Sequence, residues 1–205
     1  MSAVPKRNYT VEEYEARELT AEFKSEFFRG EIFPMHGHGG PIAMAGAKFD
    51  HNRVKDNLVV RIANALEGGP CQTLSSDMRV KIEATGLQTY PDVLILCGPP
   101  VFTDDTRIAL LNPTVIIEVL SPSTASYDRG MKFRHYQMIP SLKEFILVEQ
   151  DEAVCERFER SADSQTWIRT LVQGLDATLT FAAVDAAIPL REIYAGVEFP
   201  ESTLR

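Results

Sequence analysis

Residues 113–121 read PTVIIEVLS and residues 90–97 read YPDVLILC, and these two stretches decide the fold. Both are apolar runs of strand length, and the first is interrupted by a single carboxylate, Glu118. A nearly continuous apolar run marks a strand covered on both faces, which places it in the middle of a sheet. Beyond it, Ser121-Pro122-Ser123 opens a helix with Pro122 near its first turn, running to about Met138 and ended by Pro140. EFILVEQ, AVCERFER, TWIRTLV and ATLTF then alternate with turn residues and predict an antiparallel meander, before a terminal LREIYAG that caps the core.

Working back toward the N-terminus, CQTLSS, MRVKIEA and YPDVLILC are strand-like, with Thr85-Gly86 as the turn between the last two. From about Ala47 to Leu66, Val54, Leu58, Ile62, Ala65 and Leu66 recur at helical spacing until Gly68-Gly69 stop the pattern. A Gly-rich loop spans His36 to Gly40. FKSEFFRGEIFPM predicts a β-hairpin pivoting on Arg29-Gly30. Thr10-Val11-Glu12-Glu13 is a capping box that starts a short helix. The architecture this predicts is α+β: a mixed β-sheet core flanked by two main helices, with a C-terminal antiparallel meander.

The 205 residues suit a single domain, with a core from about residue 9 to residue 199. Apolar residues at 44% and charged residues at 24% are ordinary for a globular chain. Cys71, Cys97 and Cys155 are odd in number and widely spaced, which predicts reduced thiols, with Cys97 buried in a strand. The N-terminus lacks the apolar stretch of a signal peptide, and no run is long enough to span a bilayer. These features predict a cytoplasmic protein with no membrane association. A net charge of −8 argues against a broadly basic surface, so any nucleic-acid face must be local.

Glu118 is the most informative residue, because an isolated buried carboxylate costs several kcal/mol unless it is paired or binds a metal. A structural ion pair with Arg or Lys and a functional role are equally good accounts of it alone. Asp92 opens the other apolar strand, and its Pro91-Asp92 context also suits a turn. Two carboxylates converging from neighbouring strands repel, and a divalent cation such as Mg2+ or Mn2+ relieves that repulsion. Lys132, on the helix that follows the Glu118 strand, is placed to swing back toward the carboxylates and offset charge on a phosphate. Taken alone it is a solvated helix lysine.

Pro91-Asp92, then Glu118, then a nearby lysine resembles the PD-(D/E)-x-K nucleases. More narrowly, YPDVLILCGPP, LNPTVIIEVLSPST, YDRGMKFRHY and IPSLKEFILVEQD resemble the bacterial Uma-two family of restriction-endonuclease-like proteins, over about Val11 to Phe199. The resemblance implies an endonuclease that hydrolyses DNA with Mg2+ or Mn2+, using Asp92 and Glu118 as metal ligands and Lys132 as the catalytic lysine. It also implies that Leu120 replaces the lysine of the wider class, whose role passes to Lys132. Glu26 and His51 match acidic and histidine positions of the family. Glu26 is equally readable as a solvent-facing strand residue, and His51 as a capped or core histidine. Ser121 and Asp128 either cap the helix or hold the site loop, while His36 and His38 are surface residues.

Arg53, Lys55 and Arg61 on the first long helix, with Arg129, Lys132 and Arg134 on the second, are expected to form a small basic rim for DNA. A homodimer would suit cleavage of both strands. The competing expectation is a nuclease-like fold kept as a non-catalytic binding or assembly module, favoured by the acidic charge and by Leu120.

Overall fold

A computed structural model describes residues 8–35, 49–164 and 166–200. His36, His38 and the rest of the Gly-rich loop lie outside the described residues. Helix α1 (Val11–Glu18) starts as its capping box requires: the Thr10 hydroxyl accepts from the Glu13 N–H at 3.1 Å and the Glu13 carboxylate from the Thr10 N–H at 3.0 Å. Strands β1 (Ser25–Phe28) and β2 (Glu31–Pro34) form the expected hairpin. Its two turn residues, Arg29 and Gly30, have φ of 50° and 82°, the left-handed pair that matches the twist of the flanking strands.

Helix α2 (Phe49–Ala65) presents Val54, Leu58 and Ile62 as one buried stripe. After it come β3 (Cys71–Ser75), β4 (Arg79–Ile82), β5 (Leu87–Thr89), β6 (Val93–Cys97), β7 (Ala109–Leu110) and β8 (Val115–Leu120). A helical passage follows: α3 (Ala125–Tyr127), a π-helical turn (Asp128–Lys132) and α4 (Phe133–Tyr136). The chain ends with β9 (Glu144–Glu149), β10 (Val154–Arg160), β11 (Trp167–Gln173), β12 (Thr178–Phe181), β13 (Ala186–Pro189) and α5 (Leu190–Ile193).

The main sheet runs β11-β10-β9-β8-β6-β3, with β8 and β9 parallel and the other neighbours antiparallel. Parallel neighbours need a crossover, and the helical passage supplies it. A second sheet runs β2-β1-β5-β4-β7. On one face of the main sheet, Val93, Ile95, Val115, Ile117 and Val119 pack against α2, β12, β13 and α5. On the other, Leu94, Leu96, Ile116, Leu120 and Leu147 meet Val80, Ile82 and Leu87 of the second sheet and Phe133 and Tyr136 of the crossover. All of β8 is therefore buried, as its composition requires, and each such aliphatic side chain contributes about 1.5–3 kcal/mol relative to exposure. Strand alternation puts Glu118 on the second of these faces, with Ile116 and Leu120. Among the described residues no helix is long and apolar enough to cross a membrane.

Three sequence expectations are corrected. ATLTF leaves the meander, which ends at β11, and pairs with β13 instead, because alternation identifies a strand but not its partner. The short strands β5 and β7 lack enough residues to show a period. The helix expected from Ser121 begins at Ala125 and contains a π-turn, while the Ser121 hydroxyl lies 3.0 Å from the hydroxyls of both Ser123 and Thr124. Finally, Cys71 and Cys97 are not reduced thiols. The β3–β6 register sets them directly opposite, half-buried and disulfide-bonded, leaving Cys155 as the free, buried cysteine.

Glu156 on β10 illustrates how the acidic surface is held together: its carboxylate takes Arg129 Nε at 3.0 Å and Arg169 Nε at 2.6 Å. Burial raises its pKa, but the two guanidiniums outweigh this and hold it below the usual glutamate range. A carboxyl depressed in the fold contributes stability above its unfolded pKa and loses it as pH falls through the folded value. Glu156→Gln is therefore expected to lower the urea midpoint at neutral pH, with the gap to wild type closing under acid conditions. An equal gap at both pH values would contradict this account.

Candidate active site

The β6–β8 register, Val93 opposite Ile117, sets Asp92 across from Glu118 at the end of the pair. The pair is held by backbone: Val119 N–H donates to Asp92 Oδ2 at 2.9 Å, and Asp92 N–H lies 3.4 Å from Glu118 Oε2. The other Asp92 oxygen, Oδ1, faces His51 Nε2 of α2 at 3.5 Å. Lys132 comes in from the π-turn, with its Nζ 2.8 Å from Glu118 Oε1, 3.5 Å from Asp128 and 3.8 Å from Glu26. Tyr136 donates to the same Glu118 Oε1 at 2.7 Å. Glu26 arrives on β1 from the second sheet, taking hydrogen bonds from Tyr127 at 2.8 Å and Thr89 at 2.5 Å.

The local sequence explains this convergence. The crossover places Asp128, Lys132 and Tyr136 four residues apart, near-neighbour spacing on one helix face, and all three are buried. π-Turns recur at functional sites because they re-aim side chains that a regular helix would rotate away. Met131, one residue from Lys132, is 56% exposed.

Glu118 is pushed up to about 8, chiefly by burial and further by Asp128 and Asp92, with Lys132 pulling the other way. Burial also favours a neutral amine at Lys132, but Glu118, Asp128 and Glu26 outweigh it and hold the lysine well above its usual range. Lys132 is thus held charged at neutral pH. Burial raises Asp128. Desolvation also acts to raise the half-buried Asp92, yet His51 and the Val119 N–H hold it below the usual aspartate range.

The donor set fits a hard divalent cation. Carboxylate oxygens from Asp92 and Glu118 face one another across two strands, and the less engaged atoms are Glu118 Oε2 and Asp92 Oδ1. Among the described residues no group of three or more His, Cys, Asp or Glu is gathered as a metal cage. Two carboxylates with the remaining positions left to water and phosphate is a coordination that Mg2+ accepts.

The structure brings together Asp92, Glu118, Lys132, Glu26, His51 and Asp128, but not Ser121, which only ties the loop at Ser123 and Thr124. The basic rim is corrected. Arg129 is bound to Glu149 and Glu156, Arg61 pairs with Glu192 at 3.4 Å, and Arg53 donates to the Ala195 carbonyl at 3.0 Å. Lys132 is inside, and Lys55 leans toward Asn52 at 3.5 Å, so of the group Arg134 alone is exposed with neither a carboxylate nor a carbonyl partner among the described residues. Sequence reasoning missed Tyr127, Tyr136 and Thr89. The Lys132–Tyr136 spacing was available as a signal; the Thr89 contact was not.

Residues 11–188 match the Uma2 family, described as "Putative restriction endonuclease". Two uncharacterized proteins of Synechocystis sp. are similar along most of their length: one is 36% identical over 84% of this chain and 92% of the relative, the other 30% identical over 96% and 97%. A crystal structure titled a "putative nuclease belonging to DUF820", from Anabaena variabilis, superposes with a TM-score of 0.69 over 90% of this chain and 97% of that one. At 15% identity this likeness establishes the shared fold.

Proposed function

The chain belongs to the Uma2 family, and from that membership together with its buried carboxylate–lysine cluster we infer that it is a divalent-metal-dependent nuclease hydrolysing phosphodiester bonds in DNA. The observation that carries this reading is the placement of Lys132 Nζ 2.8 Å from Glu118, which stands opposite Asp92. Position 120, where the wider class has its lysine, is a buried leucine, so the amine is delivered from the crossover instead. A buried Glu–Lys pair by itself is a poor source of stability, since desolvating both charges offsets much of their attraction. Three carboxyl groups around one amine, with Asp92 opposite Glu118, make better sense as preparation for a cation and a phosphate.

Asp92 and Glu118 would hold Mg2+ or Mn2+, which when bound supplies a Lewis acid for water and phosphoryl oxygen. The chain's own residues do the rest. The Val119 N–H and His51 fix the orientation of the Asp92 carboxylate. Tyr136 and Lys132 anchor one oxygen of Glu118, leaving the other beside the Asp92 N–H. The Lys132 ammonium, held charged by its neighbours, offsets negative charge on a scissile phosphate. Glu26, fixed by Tyr127 and Thr89, sets the position of that amine.

The test is incubation of the protein with plasmid, linear and single-stranded DNA in Mg2+, Mn2+ or chelator. Cleavage is expected with either metal and none with chelator. Cleavage unaffected by chelator would remove the metal from the reading. A protein that neither cuts nor binds these metals would instead be the binding or assembly module, which the commitment of Arg53, Arg61 and Arg129 to internal partners favours.

A further inference from the structure

We propose that a nucleic-acid backbone reaches the carboxylates across the tip of the β1–β2 hairpin and the outer side of α4, with Arg29 and Arg134 as its phosphate contacts. This rests on the nuclease reading above and deepens it by naming the approach. The cations of α2 and the π-turn are unavailable, because Arg53, Arg61 and Arg129 already have acidic or carbonyl partners. Arg29 and Arg134 differ from these: both are exposed, and neither has a carboxylate or carbonyl partner among the described residues.

The two arginines belong to one surface. The Arg29 guanidinium lies 5.0 Å from the centre of the Phe28 ring, and that ring meets His135 edge-on at 4.7 Å, next to Arg134 in the chain. His135 is kept neutral, its pKa lowered by burial and then by the charge of Arg29, so the arginines supply the positive charge here. Arg29 is held at the hairpin tip with φ of 50°, the left-handed conformation that the two-residue turn itself requires.

The surface is close to the site along both elements. Arg29 follows Glu26 by three residues, about 10 Å of strand, or roughly three base pairs of duplex axis. Arg134 follows Lys132 by two residues on the same helical passage. Residues two apart on a helix point to opposite sides, so Arg134 is tied to the site through its neighbour His135 and through Phe28, which shares the Glu26 face of β1. A phosphate chain laid over Arg29 and Arg134 passes the Glu26 end of the carboxylate cluster, and two contacts suit an acidic protein whose basic surface is small.

The experiment is fluorescence anisotropy with labelled duplex DNA and duplex RNA of one length, in Ca2+ across a salt series. Wild type is compared with Arg29→Glu/Arg134→Glu, with the uncharged pair Arg29→Asn/Arg134→Gln, and with Arg61→Glu on α2 as control. Asn suits the left-handed turn, so the second pair keeps the hairpin intact. Both double variants are expected to bind at least about tenfold more weakly at low salt, and to lower the slope of log K against log salt by about 1 per arginine. Arg61→Glu should change neither. Loss in either nucleic-acid arm supports the path, and the arm with tighter wild-type binding names the backbone. If wild type binds and the double variants bind equally well, the path is overturned while the nuclease reading survives. If wild type binds neither probe, both fall.

Discussion

Lys132→Ala is expected to abolish cleavage and to cost about 3–5 kcal/mol of stability, the range for breaking a buried ion pair from one side. A solvated helix lysine, as Lys132 reads in the sequence taken alone, could be truncated without disturbing the fold, and its burial is what changes the expectation. The Lys132 side chain is only 5% exposed and faces Glu118, Asp128 and Glu26. Without its ammonium those carboxyl groups must take up protons or draw in water. Urea unfolding gives the stability, and plasmid cleavage under conditions where the variant is folded gives the activity. Lys132→Met separates the two effects: it keeps the aliphatic stem and should recover part of the stability without recovering cleavage. Cleavage at the wild-type rate by a folded Met variant would show that the amine has no part in the chemistry. Met131→Gln, on the exposed side of the same turn, should change neither measurement.

Glu118→Gln is expected to leave the fold in place and reduce cleavage by at least about a hundredfold, the scale for removing one well-placed electrostatic group. The amide retains the shape of the side chain and an acceptor for Tyr136 and Lys132, but it loses the charge that would hold a divalent cation. Asp92→Asn should behave likewise, since the amide oxygen still accepts from Val119 N–H. Titration with Mn2+, followed calorimetrically, should show binding by wild type and much weaker binding by either variant. Unaltered Mn2+ affinity in both would place the metal elsewhere. Because the two residues face one another, the double variant should be little worse than either single one.

Much of the architecture was open to inspection in single segments. PTVIIEVLS announced a strand covered on both faces because it offers water no polar side, and the same composition made Glu118 conspicuous. The hairpin at Arg29-Gly30, the capping box at Thr10 and the stripe of Val54, Leu58 and Ile62 on α2 all depend on residues within one or two turns of each other, and all are present. Short strands such as β7 were not legible, because two residues have no period. The π-turn was not legible either, since an extra residue in a helix leaves no compositional mark.

What the sequence determined by itself was therefore most of the local elements and the burial of Glu118, consequences of short-range sterics and hydropathy, together with the list of candidate site residues that the family resemblance singled out. Tertiary structure alone decided which of those groups meet. Register put Cys71 against Cys97 and Asp92 against Glu118, because pairing depends on strands far apart in the chain. Packing of the second sheet brought Glu26 and Thr89 to Lys132, and internal partners took up the arginines expected at the rim. Coulombic attraction falls with distance and is spent on whatever charge is nearest, and only the folded chain determines which charge that is.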